Sequence, residues 1–127
     1  MSDKATVRAL LERYCAAMSG RDRESWLDCF ADDATQEDPV GTTPNVGREA
    51  LGRFFDGNEV ELTLTLTDEP LVIGNEVLAF FKVDAEMGGQ HMVLPRIIDH
   101  IVLNPDGDRI QSLRAFFDYA ELRPADS

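Results

Sequence analysis

Residues 60–67 read VELTLTLT. Val60, Leu62, Leu64 and Leu66 alternate with Glu61, Thr63, Thr65 and Thr67, a period of two that puts an apolar row and a polar row on opposite faces of an extended chain. A strand buried on one face needs a layer to cover that face, so the reading of this stretch decides the architecture. Downstream the habit continues, with strands expected at Leu71–Ile73, Val77–Met87, Gln90–Leu103 and Arg109–Tyr119. Gly74-Asn75, Gly88-Gly89 and Asn104-Pro105-Asp106-Gly107 mark the turns between them.

Upstream the period changes. Val7, Leu10, Leu11, Tyr14, Cys15 and Met18 recur at helical spacing, which predicts an amphipathic helix over Lys4–Ser19 stopped at Gly20. Asp22 is placed to cap a short second helix with Trp26, Leu27 and Phe30 inward. Arg48–Asp56 predicts a third, with Leu51, Phe54 and Phe55 buried and Gly57 closing it. Helices first and long antiparallel strands after them define one α+β domain over residues 1–127, its helices packed on one face of a curved sheet. Such a sheet leaves a concave, mostly apolar pocket.

Composition narrows the partners. The 127 residues carry 12 basic and 24 acidic side chains, a net charge of −12, which opposes binding to nucleic acid or anionic lipid. No apolar run is long enough for a membrane span, and Met1–Ala5 does not open like a signal peptide. Cys15 and Cys29 make no CxxC and read as reduced core thiols, so a cytoplasmic protein is expected. The two histidines, His91 and His100, have no partners at metal-ligand spacing.

Four acids crowd residues 31–41, ADDATQEDPVG. Asp32 and Asp33 read as a solvated turn after the second helix. Asp38 precedes Pro39 and is biased towards extended geometry, where Glu37 and Asp38 face opposite ways. Pro39 has no N–H to offer Asp38, and a carboxylate denied local donors keeps its basicity. Asp38 is therefore a candidate general base, weighed against a structural Asp-Pro turn. Asp99 shares an apolar strand face with Ile97, Ile101 and Leu103. It must find a cation such as Arg114 or take up a proton and become a hydrogen-bond donor. Tyr14, on the buried stripe of the first helix, is either packing or a donor to a ligand oxygen.

Three segments together, Arg13–Gly41 (RYCAAMSGRDRESWLDCFADDATQEDPVG), Val46–Phe55 (VGREALGRFF) and Ile97–Asn104 (IIDHIVLN), resemble the ketosteroid isomerases of the NTF2-like, SnoaL-like superfamily. The strand Ser112–Phe117 fits as well. The resemblance implies a cone-shaped fold of three N-terminal helices on a curved, mainly antiparallel sheet enclosing an apolar pocket. It also implies a homodimer that uses neither cofactor nor metal, with Thr63, Thr65 and Thr67 as one candidate surface. Asp38 would move a proton along a steroid, while Tyr14 and protonated Asp99 donate to the dienolate oxygen. Ketosteroid isomerase is itself the standard case of a carboxylate base facing a carboxylic acid kept neutral in an apolar site, so that pattern comes with the resemblance. A flat hydrocarbon substrate would need apolar walls, for which Phe54, Phe55, Phe80, Phe81, Val83, Met87, Ile101, Phe116 and Phe117 are the candidates. The sequence departs from the family where several members surround the oxyanion tyrosine with further tyrosines, having Phe30 and Phe55 instead. Two other readings stay open: another reaction on this scaffold (polyketide cyclase, dehydratase or epoxide hydrolase), or a non-catalytic ligand-binding or dimerisation module.

Overall fold

A computed structural model describes residues 3–126; Met1 and Ser2, which open the Met1–Ala5 segment, and Ser127 lie outside the described residues. Helix α1 spans Lys4–Ser19, capped by Asp3, whose side chain accepts the Ala5 N–H at 2.9 Å. Its buried stripe is the one the spacing predicts, with Ala17 added. Gly20 ends the helix for reasons of space: a Cβ there would lie 3.1 Å from the Ala16 carbonyl oxygen. Helix α2, Arg23–Leu27, carries the expected Asp22 cap, which accepts the Ser25 N–H at 3.2 Å.

The strict order of helices then strands does not hold. Strand β1, Phe30–Glu37, and the two-residue β2, Asn45–Val46, come before helix α3, Gly47–Gly57. Asp32 and Asp33 are thus strand residues rather than a turn. They sit where the register of β1 against the last long strand shifts, and both stay exposed; Asp33 accepts a hydrogen bond from Gln111 Nε2 at 2.9 Å. The remaining strands are β3 Glu61–Leu66, β4 Leu71–Ile73, β5 Glu76–Met87, β6 Gln90–Leu103 and β7 Ile110–Phe116. A 3₁₀ turn at Tyr119–Glu121 and a short β8, Arg123–Pro124, finish the chain.

All eight strands form one sheet, with the main order β2-β1-β7-β6-β5-β3, β4 pairing on β5 and β8 on β6. β1 runs parallel to β7 and the other described pairs are antiparallel. Strand β6 carries a bulge. Phe81 pairs with Ile97 and Val83 with Leu94, so Pro95 and Arg96 together oppose Lys82. Proline is tolerated at such a break because no ladder hydrogen bond is needed from it. The extra residue resets the alternation, so Leu94 and Ile97 face inward although they are three positions apart.

The helices cover one face, with α1 packed on β3 and α3 on β1. Beneath them Trp26 collects Tyr14, Phe30, Phe54 and Phe55, its ring centroid 4.8–6.2 Å from theirs. Cys15 and Cys29 are free thiols in this core. Ile101 lies in the same layer with no exposed surface, whereas Ile73 on β4 is 67% exposed. Ile101→Ala should therefore cost about 2–5 kcal/mol, and Ile73→Ala within about 0.5 kcal/mol of nothing, both read from urea midpoints. Equal costs would contradict this assignment of faces.

Candidate active site

The concave face and the helices enclose a cavity of about 540 Å³, within the range of roughly 300–1,000 Å³ usual for small-molecule sites. Asp38, Tyr14 and Asp99 all line it. Arg53 and Asn58 add polar atoms; Arg53 is exposed and pairs with Glu49 at 3.0 Å, and Asn58 Nδ2 lies 3.8 Å from the Met18 sulfur. Most of the remaining lining is aliphatic or aromatic.

Asp38 and Glu37 part as extended geometry requires. Glu37 turns to Arg114, whose Nε donates to it at 2.9 Å, and also accepts the Gly41 N–H at 2.9 Å. Those two donors hold its carboxyl below the ordinary range, the backbone N–H contributing most. Asp38 turns into the cavity. The first backbone donors beyond Pro39 are used elsewhere, since Val40 donates to the Ala115 carbonyl at 2.8 Å and Gly41 to Glu37. Among the described residues nothing donates a hydrogen bond to the Asp38 carboxyl. Burial without a donor pushes it up to about 6. The Asp38–Pro39 peptide is cis.

Asp99 is 3% exposed, and its Oδ1 has no hydrogen-bond partner among the described residues. Its neighbours across the sheet are Ala79 and Ala115, whose side chains have nothing to donate. The cation considered for it, Arg114, points away from the cavity to Glu37 instead. Burial first, and the charge of Asp38 second, push the Asp99 carboxyl well above its usual range. Tyr14 is raised well above its ordinary value by burial, then by Asp99 and Asp38. Tyr14 thus keeps its proton at neutral pH, and Asp99 holds its proton more tightly than an ordinary carboxyl. Phe30 packs edge-on against Tyr14 at 6.1 Å, while Phe55 packs on Trp26 at 5.3 Å. Neither offers the phenol a hydroxyl partner.

Of the expected wall residues, Phe54, Phe81, Val83, Met87 and Phe117 line the cavity. Four others do not. Phe80 and Phe116 occupy the opposite face of β5 and β7, where Phe116 is 43% exposed beneath the Arg114 guanidinium. Phe55 and Ile101 face inward but belong to the packed core. Alternation along a strand gives the face a residue takes, but not whether that part of the face meets a helix or open space.

The sequence reading missed Val60, Leu62 and Leu64 as walls, although the row they form was its plainest strand signal. Tyr119 and Leu122 line the cavity, and their segment is held by β8 pairing to Met92 and Val93 and by an ion pair of 2.6 Å between Arg96 and Glu121. Gln36, a polar residue without any hydrophobic signal, is fully buried in β1. Among the described residues, no group of three His, Cys, Asp or Glu side chains is placed to hold a metal, and no helix is long and apolar enough to cross a membrane.

Three helices on a curved mixed sheet, enclosing an apolar cavity with buried acids, define the NTF2-like class of domain. The SnoaL-like domain family matches residues 11–113, and the chain belongs to that family. A steroid Delta-isomerase from Nocardioides simplex is 32% identical over 114 residues, covering 89% of this chain and 90% of the relative. Two solved structures share the fold. One is the epoxide hydrolase/cyclase-like enzyme SalBIII, described with pyran ring formation in polyether salinomycin, at TM-score 0.85 and 22% identity over 98% of this chain and 99% of that one. The other is RV0760c from Mycobacterium tuberculosis, at TM-score 0.81 and 23% identity over 96% and 98%.

Asp38 and Asp99 hold their protons more tightly folded than unfolded, so stability should fall as pH rises above the unfolded value of about 4. For Asp38 that loss runs to about 6, and Asp99 adds a loss of the same sign. Asp99→Asn should therefore have a higher urea midpoint than the wild type at pH 8, with a smaller difference at pH 5. Carboxyl-carbon NMR titration gives the direct check: Asp38 should titrate near 6 and Asp99 well above the ordinary carboxyl range. An Asp99 signal titrating near 4 would contradict the assignment.

Proposed function

We propose that the protein is a steroid Δ5-isomerase, moving the C5–C6 double bond of a 3-oxo-Δ5-steroid into conjugation with its ketone. The observation that carries this reading is the meeting, in one apolar cavity, of a donor-free carboxylate, Asp38, and two proton-holding donors, Tyr14 and Asp99. The likeness to a steroid Delta-isomerase over nine-tenths of the chain adds to it.

The chemistry follows from the charges. Asp38 removes a proton from C4, between the ketone and the double bond, and negative charge grows on the ketone oxygen. Tyr14 and protonated Asp99 donate to that oxygen, and such donors stabilise the dienolate and the transition state before it more than the neutral ketone. Asp38, now protonated, returns the proton at C6, leaving the enone. The raised value of Asp38 suits it to both halves, since a base near the working pH both takes and gives a proton readily. Phe54, Phe81, Val83 and Phe117 would face the hydrocarbon rings. An epoxide hydrolase would call for a water held between carboxylates, an arginine and amides. The cavity's one arginine, Arg53, is instead an exposed residue paired with Glu49, which supports the isomerase over that alternative.

Mixing the protein with a 3-oxo-Δ5-steroid should produce the ultraviolet absorbance of a conjugated enone. Asp38→Asn should abolish it, and Tyr14→Phe should reduce the rate by about 10²–10³. Tight steroid binding without enone growth would overturn the isomerase reading in favour of a binding role.

A homodimer fits the same reading. On the outer face, which the helices leave bare, Phe80, Ile98 and Phe116 stand in register across β5, β6 and β7. That row is more apolar than Thr63, Thr65 and Thr67 and is the better surface for pairing. Sedimentation should give a dimer that Phe116→Asp converts to a monomer; a wild-type monomer at micromolar concentration would exclude it.

A further inference from the structure

Gln36 is fully buried, an unusual place for an amide side chain. Its Oε1 accepts from Asn45 Nδ2 at 3.0 Å, the residue opposite it across the β1–β2 pair. Its Nε2 has no hydrogen-bond partner among the described residues. A buried donor left alone costs free energy that an apolar residue of the same size would not, so the amide needs a reason to be there.

Two positions along the chain stands its complement. Asp38 is an acceptor with no donor, and Gln36 is a donor with no acceptor. Glu37 between them points the other way, to Arg114, so Gln36 and Asp38 share the inward side of the chain. Same-side neighbours on a strand are about 6.6 Å apart, a span that a glutamine side chain covers directly or through one bridging water. The donors that follow Asp38 along the chain and the nearby arginine are engaged, Val40 with Ala115 and Gly41 and Arg114 with Glu37, while Tyr14 and Asp99 are reserved for the ligand oxygen in the proposed reaction.

We infer that Gln36 is a positioning residue for Asp38: its amide, held at the oxygen end by Asn45, presents its free N–H to the carboxylate as the base regains its charge. The inference rests on Asp38 being the base. An N–H so placed favours the charged form and limits how basic the carboxylate becomes. It also holds the carboxylate plane between the two carbons that exchange the proton, since a carboxylate tied at one oxygen has its other oxygen free to react.

The test replaces the amide by a side chain of similar length that has no polar hydrogen, Gln36→Met. The inflection of the kcat/KM pH profile should move upward by about one pH unit, kcat should fall by about tenfold, and KM should change by less than about twofold. Asn45→Ala, which frees the oxygen end and leaves the amide in place, should move the inflection in the same direction by less. Carboxyl-carbon NMR titration of Asp38 in both variants reads the same shift without a substrate. The titration therefore answers even if the steroid is not turned over, and keeps failure of this inference distinct from failure of the isomerase reading. An Asp38 titration at its wild-type position in Gln36→Met, or in Asn45→Ala should the first variant not fold, would overturn the inference, whatever happens to stability.

Discussion

One carboxyl group constrains the rest of the site. Asp99 stands on the inner face of β6 with Ile97 and Ile101 on either side along the strand and alanines across it. A charge there would have no compensation among the described residues, so burial favours the neutral acid. That requirement costs stability at every pH where the unfolded chain would ionise it. The aromatic layer around Trp26 and the aliphatic rows of the long strands must outweigh that cost. The same neutrality allows Asp38 to sit in the cavity as the charged partner, because two ionised carboxylates in one apolar space would oppose each other.

The second constraint is the separation of two adjacent acids. Glu37 is neutralised by an arginine and a backbone N–H on the outer side; Asp38, one residue on, is denied both. An extended chain assigns the sides, and a proline removes the nearest donor. The contrast between a strong acid and a weak one is therefore produced by direction alone, within a single dipeptide.

The parts of this arrangement that follow a period or a local rule were legible in the sequence. The α1 stripe, the Asp22 cap, the span of β6 and the opposed directions of Glu37 and Asp38 all read directly. What was hidden depends on neighbours distant in the chain. Gln36 carries no hydrophobic signal, so its burial follows only from α3 folding over β1. Asp32 and Asp33 read as a turn because a strand with a register shift loses its alternation. Ile101 faces the right way but lies under the helices, which no strand pattern reveals, and Phe55 on α3 packs on Trp26 instead of reaching the cavity. The bulge at Pro95-Arg96 depends on how β6 meets β5, although the proline marks the place.

The parallel pairing of β1 with β7 has a bearing on how the protein is made. Asp38 follows a strand whose partner, residues 110–116, is synthesised well after it. Tyr14 precedes both, and Leu122, which follows β7, lines the cavity. During translation from the N-terminus, the helices, Tyr14, Asp38 and Asp99 are all synthesised before the strand against which Asp38 is set. A nascent chain can therefore acquire the parts of the site in sequence, but the site itself only once β7 has followed them. A chain truncated before β7 would keep each of the three polar residues and still lack the strand against which Asp38 is set.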